Sequence, residues 1–303
     1  MINKDITPMV SIGMPAYNGE EYICEALDSL LSQTFTDFEL IISDDDSTDD
    51  TELICRHYAD SDSRIRYIRQ DKNLGGVGNF KFVLKEARGE YFMFASNDDV
   101  WSINWLTNLL ASLKDKPANA AFGRVIYIDD KANIINSTAN NIFFKFIHNT
   151  AWRRIKFIFT PHLTGKMILL YSLFPRQILC DLCSKNIDIT GHNSQDLFFV
   201  FYILSHLQFQ PVCNSLMYKR NHNYSDSASI RCFAYNKVGN SFGLIYKFLS
   251  LLFPFLNFRR YYYQLNRTEI FLMIISLPFL CFYHAFYAFY LMLIKKVQDA
   301  IKK

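Results

Sequence analysis

The chain has 303 residues, enough for one large domain or a domain with an appendage, and half of them are hydrophobic and 16% aromatic, with 28 Phe and 18 Tyr. That richness is high for a soluble enzyme and brings a membrane into consideration, while the net charge of +3 hides an asymmetry: residues 1–100 carry 20 acidic and 9 basic side chains, the remainder 9 and 23. Seven scattered Cys argue against a disulfide framework and fit reduced thiols in a cytosolic compartment, and the polar start Met1–Asp5 has no apolar signal-peptide stretch.

Val10–Met14 reads as a short apolar strand stopped at Pro15, and Ala16-Tyr17-Asn18-Gly19 as a turn. From Glu20 to about Gln33 apolar residues recur at helical spacing, with acids in the first turn. Phe38–Ser43 is a second strand that runs into Asp44-Asp45-Asp46, and a helix follows to about Tyr58. Ile65–Ile68 is a third strand, leading through the glycine-rich Asn73–Gly78 to a helix over about residues 79–87. The glycines match neither GxGxxG nor GxxxxGK[ST], so a Rossmann or P-loop reading is weak. Tyr91–Ala95 is a fourth strand and stops at Ser96-Asn97-Asp98-Asp99. Strands alternating with helices of this length predict βαβ units on a parallel sheet.

Two strands therefore end in acidic clusters, and in a parallel sheet both ends lie on one edge, where open α/β sheets bind ligands. Adjacent carboxylates are costly unless a cation sits between them. Mg²⁺ or Mn²⁺ meets that need, because such ions take one or two carboxylates plus the oxygens of a substrate diphosphate. A solvated turn capping the next helix explains one cluster, but two on the same rim favour a nucleotide-and-metal site.

Trp101–Lys114 reads as a helix with a core-facing apolar stripe. Ala120–Ile128 is a strand, Asp129–Asn133 a turn and Ile134-Ile135 the return. From Ile142, aromatics such as Phe143, Phe146 and Trp152 interleave with Lys145, Arg153, Arg154 and Lys156. We read an interfacial segment there rather than a nucleic-acid surface, the rival being an amphipathic loop over an acceptor groove. Cys180-Asp-Leu-Cys183 has CxxC spacing with no second pair of zinc-ligand spacing. Gly191–Phe201 opens another apolar helix, capped by Asn193 or Ser194. Residues 270–294 carry no charge, are long enough to span a bilayer, and are flanked by basic residues on both sides, which leaves a hairpin or an interfacial helix as rivals to a span.

Pro15-Ala-Tyr-Asn18, Ser32-Gln-Thr-Phe35, Phe38–Asp49, Asn73-Leu-Gly75, Ala87-Arg-Gly-Glu-Tyr91 and Asn97-Asp-Asp99 together resemble the inverting glycosyltransferases of family 2. The resemblance is strong over about residues 9–130 and thins to about residue 225. It implies an α/β GT-A fold, a Rossmann-like, mostly parallel sheet flanked by helices. Its catalytic domain would span residues 1–230, with a donor-binding half to about 130 and an acceptor half from 131. A hydrophobic helical membrane-associating tail would follow over 231–303.

The resemblance also implies a nucleotide-sugar donor, with Mg²⁺ or Mn²⁺ bridging its diphosphate. Pro15, Tyr17 and Asn18 would line the nucleotide, and Asp45 would accept from the base imide, which suits UDP or dTDP. Asp98 would lie near the ribose, while Asp99, with Asp98 second, would hold the metal. Arg220 or His222 would reach the diphosphate as a loop closes, and Asp196 would be the general base of an in-line displacement. Ser96 stands where the family often has a first Asp, and Gln195 where Glu is common. The expected acceptor is a lipid-linked saccharide of bacterial surface polysaccharide, of O-antigen type, met at the cytoplasmic face of the inner membrane, with no nucleic acid involved. The rival is a non-catalytic member of an assembly complex that binds nucleotide or lipid; an RNA-binding protein ranks far below, since no RNA motif is present.

Overall fold

The computed structural model describes residues 7–114, 116, 119–135, 140, 154, 157, 166–184, 199–200 and 202–221. The chain divides into two units, and every element below belongs to the one formed by Met1–Phe146 and Pro161–Tyr224.

Its first half alternates as the sequence predicts: β1 (Val10–Ala16), α1 (Ile23–Leu31), β2 (Phe38–Asp44), α2 (Thr51–Ser61), β3 (Ile65–Arg69), α3 (Gly75–Glu86) and β4 (Tyr91–Phe94). These four strands run parallel, in the order β3-β2-β1-β4. A parallel sheet covered on both faces needs strands apolar along their whole length. β2 shows it at Phe38 and Leu40–Ile42; all seven of its residues are buried, and the charges of Glu39 and Asp44 are met by arginines. β7 (Phe174–Pro175) closes the sheet antiparallel to β4.

A second sheet has the order β5-β8-β6, built from β5 (Val100–Trp101), β6 (Asn119–Ile128) and β8 (Gln208–Arg220). α4 (Trp105–Leu113) buries Trp105, Leu106, Leu109 and Leu113. A 3-10 helix (Lys166–Tyr171) and α5 (Arg176–Ser184) complete the described elements.

Several of the family-like motifs are structural ties. Gln33, buried after α1, donates to the Ser29 and Ser102 carbonyls at 3.0 and 2.9 Å and accepts from the Leu106 N–H, pinning α1 to α4. At the far edge of the first sheet, Glu39 accepts from Ser11 Oγ (2.6 Å) and from the Arg88 backbone and guanidinium. Ser11 Oγ in turn accepts the Arg88 and Gly89 N–H groups. The Ala87–Tyr91 motif is thus the lock that seats β4 beside β1.

Three readings are corrected. α3 begins at Gly75, with Gly75 at φ +73°, so the glycines form its first turn instead of a preceding loop. Val100-Trp101 pairs with β8 before the helix begins, because the antiparallel ladder captures it. Arg220 is the last residue of strand β8 and does not lie on the closing loop expected to carry it. The tail over 231–303 and most of the aromatic and basic segment from Ile142 lie outside the described residues, and no helix among the described residues is long and apolar enough to cross a membrane.

Candidate active site

β1 lies between β2 and β4, and all three run the same way, so the loops after them are neighbours on one edge. The loop after β1 carries Tyr17, Asn18 and Gly19; the loop after β2 carries Asp45–Ser47; the turn after β4 carries Ser96–Asp99.

The first two loops are sewn together. Asp45 N–H donates to Ala16 O at 2.9 Å and Asn18 N–H to Ser47 Oγ at 3.0 Å. The Asn18 side chain accepts from Thr48 N–H at 2.9 Å. Further along, Gly19 N–H donates to Thr51 Oγ1 and Glu20 N–H to Asp49 Oδ2. Asn18 and Asp46 take left-handed conformations, φ 47° and 64°, as short polar side chains do in tight turns. Gly19 also faces the third loop: a Cβ there would lie 2.0 Å from Asn97 Nδ2, so a larger residue would require the Asn97 amide to move.

The acids of the first cluster separate by partner. Asp44 is buried and accepts from Tyr67 OH (2.7 Å) and Arg69 (3.0 Å). Asp46 pairs with the same arginine at 3.0 Å. Asp45 accepts from the Leu74 N–H at 2.6 Å through one oxygen, which anchors the start of α3, and its other oxygen has no hydrogen-bond partner among the described residues. Pro15 sits beside Ser43 in the β1–β2 ladder, and Tyr17 stands 51% exposed above it.

The second cluster separates more sharply. Asp99 is fully buried. One of its oxygens accepts from the Arg220 backbone N–H at 2.9 Å and the other from Lys219 Nζ at 3.2 Å. Burial lifts its carboxyl to about 6, helped by the charge of Asp98 and opposed by Lys219 and the Arg220 N–H. Asp98 is half-buried and accepts from the Ser96 hydroxyl. Ser96, which replaces the family's usual first Asp, here orients the acid two residues on.

Lys219 occupies one oxygen of Asp99 in this structure, so a cation held there would have to displace the ammonium. A cation held by one carboxylate, with phosphate oxygens and water filling its other positions, fits Asp98. No group of three or more His, Cys, Asp or Glu side chains able to hold a metal occurs among the described residues.

Arg220 is turned into the fold. Its side chain is wholly buried. Nε donates to Asp98 O (3.0 Å), one terminal nitrogen to Asp129 O and Asp130 O (3.1 and 3.0 Å), and the other to Glu25 Oε2 (2.5 Å). The guanidinium also stacks on Tyr22, 4.4 Å from the ring centre. Four of its five N–H donors are used within the fold and the side chain is wholly buried, so Arg220 clamps the acidic turn and is not presented to a diphosphate.

Lys219, Glu25 and Tyr22 were not legible as site residues; reading Met217–Arg220 as strand would have shown Lys219 and Arg220 facing opposite sides. Asp196 and His222 lie outside the described residues. Burial raises both thiols of the CxxC pair, Cys183 to about 11, which disfavours the reactive thiolate.

Residues 11–172 match Glycosyl transferase family 2. The chain is 30% identical over 126 residues to glycosyltransferase GlyG of Streptococcus pneumoniae, covering 41% of this chain and 42% of that protein. It is 33% identical over 124 residues to WfgD of Escherichia coli, a UDP-Glc:alpha-D-GlcNAc-diphosphoundecaprenol beta-1,3-glucosyltransferase, covering 41% and 48%. The match thus spans less than half the length of either relative. Among solved structures, S. aureus TarS in complex with UDP-GlcNAc aligns with a TM-score of 0.54 at 21% identity, over 73% of this chain and 60% of that one, a likeness of fold. With more than half of its length matched by the family, this chain belongs to glycosyltransferase family 2.

Proposed function

We propose that the protein is an inverting glycosyltransferase that moves a sugar from a UDP- or dTDP-sugar to a lipid-linked saccharide. The observation that carries the reading is the convergence of Tyr17, Asp45 and Asp98 on three neighbouring loops at one edge of a parallel sheet. The exposed Tyr17 ring is available to stack on a base. Asp45, rigidly held through Leu74, keeps an oxygen to accept from a base imide. Asp98 would hold Mg²⁺ or Mn²⁺, and a bound ion would neutralise charge developing on the diphosphate. Asp196 would take the proton of the acceptor hydroxyl on the face opposite the leaving group.

The lipid-linked acceptor draws support from the diphosphoundecaprenol substrate in the name of WfgD. We place the enzyme at the cytoplasmic face of the inner membrane, held by the apolar stretch over residues 231–303, with residues 1–230 as the catalytic domain.

The test uses the full chain, membranes carrying lipid-linked acceptor, Mn²⁺ and a panel of UDP- and dTDP-sugars. Transfer with one donor is expected, and Asp196→Asn should abolish turnover while leaving donor binding intact. Nucleotide binding without transfer from any donor would favour a non-catalytic assembly partner. Normal turnover in Asp196→Asn would remove that residue as the base.

A further inference from the structure

With Arg220 spent on the fold, the acidic rim needs another cation to meet a diphosphate. Arg69, at the same end of the sheet, is held by Asp44, Asp46 and Glu52. We propose that Lys219 is the protein cation that contacts the donor's diphosphate, an assignment that rests on the nucleotide-sugar reading above.

The β5–β8 ladder pairs Val100 with Tyr218, and its next step sets Lys219 across from Asp99. Side chains alternate along a strand, so Lys219 leaves the face on which Arg220 is buried. The Lys219 side chain remains 28% exposed. Asp99 takes one of the three ammonium donors, at 3.2 Å. The ammonium lies 5.2 Å from the centre of the Tyr171 ring, a contact that restricts where it can swing. An ammonium held in place by Asp99 and Tyr171 is suited to a leaving diphosphate, because it is oriented before the charge develops.

Two carboxylates and one ammonium leave this turn with a residual negative charge. Lys219 therefore complements a cation at Asp98 and does not replace it.

The experiment titrates the full chain, in Mn²⁺, with UDP and uridine and with dTDP and thymidine, using wild type, Lys219→Met and Lys219→Arg. Lys219→Met should weaken the diphosphate tenfold or more and leave the nucleoside within twofold, with Lys219→Arg recovering most of the loss. Diphosphate affinity within twofold of wild type in Lys219→Met would overturn the assignment. So would equal losses for diphosphate and nucleoside, which would make Lys219 a support for the acidic turn. Failure of wild type to bind either diphosphate would overturn the nucleotide-sugar reading itself. Should Lys219→Met not fold, Lys219→Gln keeps a polar head on a similar stem and is held to the same criteria.

Discussion

Replacing Arg220 with Met decides between a structural clamp and a substrate ligand. The substitution removes the donors to the Asp98, Asp129 and Asp130 carbonyls and to Glu25. Each buried acceptor left without a partner costs about 1–3 kcal/mol. Glu25 is half exposed and Asp130 exposed, so both regain water, and the Asp129 carbonyl keeps the Ala132 N–H; most of the cost falls on the Asp98 carbonyl and on the lost stacking against Tyr22. The total is about 2–3 kcal/mol. In a domain of this size 1 kcal/mol moves Tm by roughly 2–4 °C, so a fall of roughly 5–10 °C is expected. Thermal unfolding followed by circular dichroism reads it, with Arg220→Lys expected to fall between the two. A variant within about 1 kcal/mol of wild type that bound UDP tenfold more weakly would refute the clamp and restore Arg220 as a diphosphate ligand.

Glu39→Gln should lower stability by roughly 2 kcal/mol at pH 7, since an amide whose oxygen faces the two arginines turns its NH2 toward Ser11 Oγ and the Arg88 N–H, which both need an acceptor. Burial works against the charge of Glu39, but hydrogen bonds from Arg88 and Ser11 and the Arg88 charge hold its carboxyl below the ordinary range. Its contribution is therefore complete above the unfolded-state value of ~4.3 and is lost as pH falls through the lower folded-state value. Urea unfolding at pH 7 and at pH 3 should show the wild-type advantage shrinking; an advantage that grew on acidification would contradict the network. Asp45→Asn should weaken UDP binding tenfold or more with little loss of Tm, read by calorimetry, because a mixed donor–acceptor amide replaces a two-oxygen acceptor. Unchanged UDP affinity would remove Asp45 from the base site.

The four parallel strands were legible because Val10–Met14, Phe38–Ser43, Ile65–Ile68 and Tyr91–Ala95 are short, mostly apolar runs bounded by turn residues and separated by helix-length segments. β8 was not: Gln208–Arg220 is part polar and contains Pro211, and it becomes a strand through pairing with β6 and β5, from far away in the sequence. The same distance hid the roles of the acids. The resemblance put Asp99 before Asp98 for the metal, and Lys219, 120 residues on, engages Asp99. It singled out Asp45, and Arg69 claims the Asp44 and Asp46 on either side.

The cross-linked loops after β1 and β2 carry a consequence for recognition. Where a binding surface is already frozen by its own internal ties, little conformational freedom remains to be lost when a guest arrives. Discrimination between bases at this floor would then come from shape and from unmatched polar atoms, with little reshaping on contact. An ill-fitting base would be rejected as a rigid mismatch instead of being accommodated at a small penalty.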